Sequence, residues 1–143
     1  MKLEQVKSLA EKIVQEWELR ENEQFSHEPV IENGKRPDFI FPTVNAYNSS
    51  DFPDGNLRML AAKTSCKDRW RQILNEANRV PNKHLLTLQE GVSENQFNEM
   101  TEAGVTLVVP TGLHRSYPEA IRAHLVTLEE FIGEVRLLSR PDT

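Results

Sequence analysis

Asp38 and Lys63 are the first pair of residues whose types suggest a chemical role. Asp38 follows Pro37 at the start of one predicted strand, and Lys63 ends another, 25 residues later. A carboxylate can bind a divalent metal, while a lysine can orient water and offset negative charge on a phosphate. The pair therefore suggests phosphodiester hydrolysis. The alternative is two solvated charges at strand ends, because Pro-Asp before an apolar run is a common pattern.

A second carboxylate is expected two residues before the lysine in the usual nuclease pattern, but Ala61 stands there. Glu76 lies 13 residues after Lys63 on the next predicted helix. In an α-helix it shares a face with Arg69 and Ile73, so a carboxylate on that helix can restore the metal site. The alternative is an exposed glutamate that pairs with Arg79 or Gln72.

The elements that must position these residues alternate between helices and short apolar strands. An amphipathic helix is predicted over residues 3–19, and Asn33-Gly34 predicts a hairpin between Val30-Ile31 and Phe39–Phe41. A long loop covers 43–56, and capping boxes begin at Ser93 and Thr127. The predicted order is αβββαβαβαα, which indicates an α/β layered domain. The remaining strands are predicted at 57–62, 84–88 and 105–109, and the remaining helices after Asp68, Ser93, Pro118 and Thr127.

Composition limits the classes of protein that the chain can represent. It has 143 residues, 17 Lys and Arg against 22 Asp and Glu, and a net charge of −5. We expect one domain over residues 1–143, without a membrane span and in the cytoplasm. The single cysteine, Cys66, excludes an internal disulfide and a cysteine-based zinc site. An acidic chain needs a local basic site to bind nucleic acid, and four basic residues provide one: Lys63, Lys67, Arg69 and Arg71.

Three long segments carry a resemblance to a known family. They are KRPDFIFP at 35–42, MLAAKTSCKDRWRQILNE at 59–76 and LLTLQEGVS at 85–93. Together they resemble the catalytic domain of EcoRII-type restriction endonucleases, over most of residues 25–135. The resemblance implies a PD-(D/E)xK fold, with a central mixed sheet flanked by helices. It also implies Mg²⁺-dependent cleavage of duplex DNA by homodimers at CCWGG or CCNGG sites, on the 5′ side of the first cytosine.

The resemblance assigns roles to individual residues. It implies that Asp38, Lys63 and Glu76 are catalytic, with Asp38 and Glu76 as metal ligands and Glu76 as the helix-borne acid. It places CC:GG recognition on the triplet Lys67-Asp68-Arg69. Basic side chains can donate to guanine O6 and N7, and an aspartate can accept from cytosine N4. The alternative for this triplet is a helix N-terminus, capped by Asp68 and flanked by solvated basic residues.

The region before Asp38 departs from the family, whose members have a longer segment with a further glutamate on the first helix. Glu11 is the candidate for that glutamate, and contacts to the central base pair are expected in the same upstream region. We expect Tyr47, in the long loop, to cover the core rather than to touch DNA backbone. Other acidic residues of the region compete with Glu11: Glu4, Glu16, Glu18, Glu28 and Glu32.

Three functions are compatible with these residues. The first is a type II restriction endonuclease that cleaves a specific site. The second is a repair or recombination nuclease on the same core, which tolerates changes in G·C sequence. The third is an inactive or shortened DNA-binding relic.

Overall fold

A five-stranded mixed sheet forms the centre of the molecule. The structure is a computed structural model that describes residues 8–64 and 69–138. The strands lie in chain order across the sheet, and the pairs are antiparallel between the first three strands and parallel between the last three. The strands are β1 (Ser26–His27), β2 (Phe39–Phe41), β3 (Arg58–Lys63), β4 (Lys83–Thr87) and β5 (Val105–Val108).

Helices cover both faces of this sheet, which confirms the predicted α/β architecture with a central mixed sheet. The helices are α1 (Leu9–Trp17), α2 (Val44–Asn48), α3 (Glu94–Glu102), α4 (Glu119–Arg122) and α5 (Leu128–Leu138). No helix in the two described ranges has both the length and the apolar character required to cross a bilayer.

Alternation along the strands divides the core into two layers, here called the first face and the second face. Ile40 and Ala61 belong to the first face, where the segment Arg69–Asn75 and helices α3 and α4 pack. Phe39 and Leu60, their chain neighbours, belong to the second face, where α1 and α5 pack. Successive side chains of a strand point to opposite sides, so this division fixes the face of every strand residue.

Both predicted capping boxes are present at helix starts. The Ser93 hydroxyl accepts from the Gln96 N–H at 3.1 Å. Thr127 accepts from the Glu130 N–H at 3.1 Å, and its own N–H donates to the Glu130 carboxylate at 3.1 Å. These contacts satisfy backbone donors that lack intrahelical partners, so α3 and α5 begin where the sequence predicts.

The hairpin prediction was wrong about one strand. Asn33-Gly34 does turn the chain, and Asn33 adopts a left-handed φ of 60°. The strand that pairs with β2 is Ser26–His27, with Ser26 opposite Ile40, rather than Val30-Ile31. The strand prediction required Val30 to be buried in the core, but its side chain is 55% exposed.

Two further elements differ from the prediction. The loop 43–56 contains α2, whose first turn is capped by Thr43 through a 3.1 Å hydrogen bond from the Ala46 N–H. The predicted helix after Asp68 is the 3-10 segment Arg69–Asn75. Because the segment is 3-10, with about three residues per turn, and ends at Asn75, the α-helical spacing predicted from Arg69 to Glu76 does not hold.

Candidate active site

The antiparallel pairing of β2 and β3 brings Asp38 near Lys63. Phe39 lies opposite Leu60, so the residue before β2 is adjacent to the end of β3. Lys63 is the last residue of β3. Both residues therefore lie at the same edge of the sheet.

Strand alternation also puts Asp38 and Lys63 on the same face. Ile40 and Ala61, each two residues away along its own strand, both pack in the first face. Asp38 is held there by a hydrogen bond from the Ala62 N–H to its Oδ2, 2.7 Å long. Oδ2 thus has a fixed partner. Oδ1 has no hydrogen bond to a described residue, and the contact at Oδ2 fixes the orientation of the whole carboxylate.

Glu76 approaches the same face from the segment that follows β3. Trp70 and Ile73 of the 3-10 segment are buried in the first face, so the turn after them lies over this part of the sheet. Burial raises the pKa of Glu76, and the nearby negative charge of Asp38 raises it further, while the positive charge of Lys63 opposes this shift. The charges of Asp38 and Lys63 both act on Glu76, so the three predicted catalytic side chains lie within electrostatic range on this face.

The alternative role paired an exposed Glu76 with Arg79 or Gln72, and the pairing with Arg79 is wrong. Arg79 pairs instead with Asp54, with 2.7 Å between Nε and Oδ1. Glu76 is only partly exposed and lies among charged groups of the site. Ala61, which stands where the usual pattern has a second carboxylate, is fully buried on the first face. Strand β3 contains no acidic residue, and the nearby carboxylate on this face is that of Glu76.

Glu11 does not join Asp38 and Glu76 in a cluster. It is exposed in the first turn of α1, a helix that packs on the second face through Leu9 and Ile13. Within the described residues, no three His, Cys, Asp or Glu side chains are grouped closely enough to hold a metal. The assignment of Glu11 stays a prediction. Of its competitors, Glu16, Glu18 and Glu28 are also exposed, and Glu4 lies outside the described residues.

The predicted recognition triplet falls mostly outside the described ranges. Lys67 and Asp68 lie outside them, and Arg69 is described only through its backbone, as the first residue of the 3-10 segment. Arg71 from the same basic group makes an ion pair with Glu99 of α3 at 2.9 Å and lies over the Trp70 ring, 4.5 Å from its centroid. Its charge is therefore matched within the protein.

Glu32 is a half-buried carboxylate beside the site, which the sequence analysis named only as a competitor of Glu11. Its Oε1 accepts from the Tyr47 hydroxyl at 2.5 Å and from the Asn78 N–H at 2.9 Å. Burial by itself raises the pKa of Glu32, but these hydrogen bonds and the nearby charge of Lys35 bring it below its usual range. No local sequence pattern indicated these contacts, because Tyr47 and Asn78 lie in other segments of the chain.

Lys83 was missed as well, although its position carries a signal. It begins β4, a run in which every residue is buried, and it is itself only 4% exposed. Its ammonium donates to the carbonyls of Ala77, at 2.8 Å, and Val80. Burial lowers the pKa of Lys83. Lysines are almost never fully buried without partners, so a lysine at the start of a buried strand indicates a local contact.

Tyr47 covers the core, as expected from the sequence. It is 4% exposed and belongs to the first-face cluster. Burial, together with the hydrogen bond to the Glu32 carboxylate, raises the pKa of Tyr47 to about 12. The Arg79 guanidinium donates to the Tyr47 and Ser49 carbonyls and so fixes the loop that carries Tyr47.

Comparisons with known proteins give matches over most of the chain. The family model described as EcoRII C terminal matches residues 4–132. The type II restriction enzyme EcoRII of Escherichia coli is 59% identical over 111 residues, which cover 78% of this chain and 28% of that protein. The type II restriction enzyme SsoII of Shigella sonnei is 30% identical over 109 residues, covering 75% of this chain and 34% of that protein. The chain thus spans about a third or less of these relatives.

Solved structures of similar fold include DNA complexes. Metal-depleted Ecl18kI in complex with uncleaved DNA aligns with a TM-score of 0.67 and 28% identity, over 82% of this chain and 39% of that one. The complex of the restriction endonuclease PspGI with substrate DNA aligns with a TM-score of 0.66 over 92% of this chain and 58% of that one. At 14% identity, the PspGI match is evidence for the fold alone.

Proposed function

The chain belongs to the EcoRII C-terminal family of restriction endonucleases, and from this premise we propose that it is a type II site-specific deoxyribonuclease that hydrolyses duplex DNA. One observation carries the proposal. Asp38, Lys63 and Glu76 reach one edge and one face of the sheet from three separate segments, close enough for their charges to interact. A carboxylate pair beside a lysine is the chemistry that phosphodiester hydrolysis requires.

Asp38 and Glu76 are the proposed ligands of a divalent metal, Mg²⁺ by the family resemblance. The donor set fits, because both groups are carboxylates and Mg²⁺ prefers oxygen ligands, commonly one or two carboxylates with water and substrate oxygens. The mutual repulsion of the two carboxylates, which contributes to the raised pKa of Glu76, is relieved by a cation between them. When bound, such a metal activates water and stabilises charge on the phosphate.

Lys63 is proposed to orient the attacking water and to offset the charge that develops on the phosphate. Its place at the end of β3 puts its ammonium at the sheet edge, where its positive charge acts on the Glu76 carboxylate. Asp38 keeps its orientation through the Ala62 N–H, so the chain holds one ligand before any substrate binds. Fixed groups of this kind lower the cost of reorganisation during the reaction.

Sequence recognition is proposed for Lys67, Asp68 and Arg69, and the site for CCWGG or CCNGG. Lys67 and Asp68 come directly before the segment Arg69–Asn75 in the sequence, and Arg69 begins it. Base-reading groups would therefore lie only a few residues before Glu76. A palindromic site calls for two copies of this triplet related by a twofold axis, which supports a homodimer on DNA.

Incubation of the purified chain with plasmid DNA and Mg²⁺, followed by mapping of the cut ends, tests this function. We expect cuts on the 5′ side of the first cytosine of CCWGG or CCNGG sites, and no cuts in EDTA. Cuts without sequence preference would support a repair or recombination nuclease instead. Binding to DNA without cleavage, under the same conditions, would support an inactive DNA-binding module.

A further inference from the structure

The turn that carries Glu76 has an unusual backbone. After the 3-10 segment ends at Asn75, Ala77 adopts a left-handed φ of 51°. A residue with a side chain rarely adopts this conformation, so contacts from outside the turn must stabilise it. Inside the turn the hydrogen bonds run from the Glu76 N–H to Ile73 and from the Val80 N–H to Ala77. Most other polar groups of its backbone need partners elsewhere.

Two lysines satisfy carbonyls of this turn. The Lys83 ammonium, buried at the start of β4, donates to Ala77 and Val80 on both sides of the reversal. The Lys35 ammonium donates to the carbonyl of Asn75, the residue before Glu76. A buried ammonium requires such acceptors, because removing it from water without them is costly. The turn and the lysines therefore stabilise each other.

A carboxylate and a hydroxyl satisfy N–H groups on the other side of the turn. Glu32 Oε1 accepts from the Asn78 N–H at 2.9 Å, and the Tyr47 hydroxyl accepts from the Arg79 N–H at 3.2 Å. Tyr47 in turn donates to Glu32, so the two side chains act as a unit. The four side chains that hold the turn are called the turn clamp: Glu32, Lys35, Tyr47 and Lys83.

We propose that the turn clamp sets the position of Glu76 relative to Asp38 and thereby the affinity of the site for its divalent metal. Glu32 and Lys35 lie only a few residues before Asp38 along the chain. One short segment thus leads into the first proposed ligand and holds the turn that carries the second. This inference rests on the proposed function, since it assumes that both carboxylates bind a metal.

Lys83 is a positioning residue, because its ammonium donates to the backbone carbonyls of the turn, and its positive charge also acts on Glu76. It lies in the sheet below the turn and is shielded from solvent, so it is not available to touch DNA. Residues that orient metal ligands typically change metal affinity by about 10–100-fold when they are removed. Loss of Lys83 should therefore be seen in metal binding before it is seen in the rate at saturating metal.

The test uses Lys83→Met, which keeps most of the side-chain volume and removes the donors. Mn²⁺ is titrated calorimetrically into the free protein, and amide hydrogen exchange is followed along the chain. We expect Mn²⁺ affinity to fall about 10-fold and the Asn78 and Val80 amides to exchange faster, while Leu85 in the sheet stays protected. The Mg²⁺ concentration for half-maximal cleavage should rise by a similar factor, with the rate recovering at saturating Mg²⁺.

Phe97→Leu is the matched control, because Phe97 is a buried side chain of α3 in the first-face core that supplies no hydrogen bond to the turn. It should lower stability and leave Mn²⁺ affinity unchanged. If Lys83→Met does not fold, Lys35→Met removes one clamp contact from a less buried side chain and should weaken Mn²⁺ binding about 3-fold. Wild-type affinity in the folded clamp variants, or an equal loss in Phe97→Leu, would overturn the clamp alone. Wild-type affinity in Asp38→Ala would overturn the metal site and the clamp together.

Discussion

The carboxylate of Asp38 accepts a hydrogen bond from the backbone N–H of Ala62, 2.7 Å away, and this contact joins the start of β2 to the end of β3. Ala62 directly precedes Lys63, so the bond links the proposed metal ligand to the strand residue next to the proposed catalytic lysine. A carboxylate that accepts a hydrogen bond from a backbone N–H loses rotational freedom. The geometry of the pair is therefore built into the sheet.

Removal of any catalytic side chain should abolish most cleavage. Asp38→Ala, Lys63→Ala and Glu76→Ala are each expected to lower the cleavage rate at least about 10²-fold, because metal binding or charge stabilisation at the phosphate is lost. DNA binding measured in EDTA should survive or strengthen. Glu119→Ala, at the exposed start of α4, is the control carboxylate and should cleave normally. Wild-type cleavage by Glu76→Ala would show that the turn carboxylate is structural.

Replacement of the recognition triplet should reduce specificity more than general affinity. Arg69→Ala is expected to cost about 1–3 kcal/mol on the cognate duplex and to narrow the gap to scrambled DNA, because one bidentate base contact is lost. Lys67→Ala and Asp68→Ala should behave alike. Fluorescence anisotropy with both duplexes measures the effect. Equal losses on cognate and scrambled DNA for all three variants would refute base reading by the triplet.

Binding to a specific site should involve two copies of the chain and depend steeply on salt. One triplet per chain can read only half of a palindrome, so we expect a homodimer on cognate duplex. The logarithm of the affinity should fall linearly with the logarithm of salt concentration, in proportion to the phosphates neutralised. Sedimentation of the complex, repeated over a salt series, checks both expectations. One chain per cognate duplex would contradict the palindromic reading.

Stability should decrease between about pH 6.5 and 4 because of His84. This residue is 9% exposed and packs on Phe131, with 4.7 Å between ring centroids, and burial lowers the pKa of His84 to about 4. The unfolded chain, with an ordinary pKa near 6.5, binds the proton first as pH falls. His84 alone should lower the free energy of unfolding by roughly 3 kcal/mol across that interval. It should cause no further loss of stability at lower pH.

Urea unfolding of wild type and His84→Phe at pH 7 and pH 4.5 measures this contribution. The variant removes the titrating group and keeps an aromatic ring against Phe131, so its stability should vary less with pH. The matched comparison is His114→Phe, a residue on the segment after β5 that is not buried. A parallel pH dependence in wild type and His84→Phe would show that other groups cause the acid instability.

The sequence by itself determined features that depend on short-range contacts. The Ser93 and Thr127 capping boxes form as predicted, because each uses a hydroxyl and a backbone N–H three residues away. Alternation of side chains along β2 and β3 is also a local property, and it puts Asp38 and Lys63 on one face once the pairing of these strands is known. Long motifs such as the segment 59–76 also identified the family, which the match to residues 4–132 confirms.

Only the tertiary structure decided how Glu76 reaches the site. Local periodicity predicted an α-helix there, but packing of Trp70 and Ile73 against the sheet gives a 3-10 segment and a left-handed turn. That turn depends on side chains from distant parts of the sequence, Glu32 and Tyr47, whose contacts no local pattern encodes. The same is true of β1, where pairing with β2 selected Ser26 over Val30. Residues far apart in sequence come into contact only when the sheet has formed. Packing of the whole core, rather than local propensity, therefore selects these contacts.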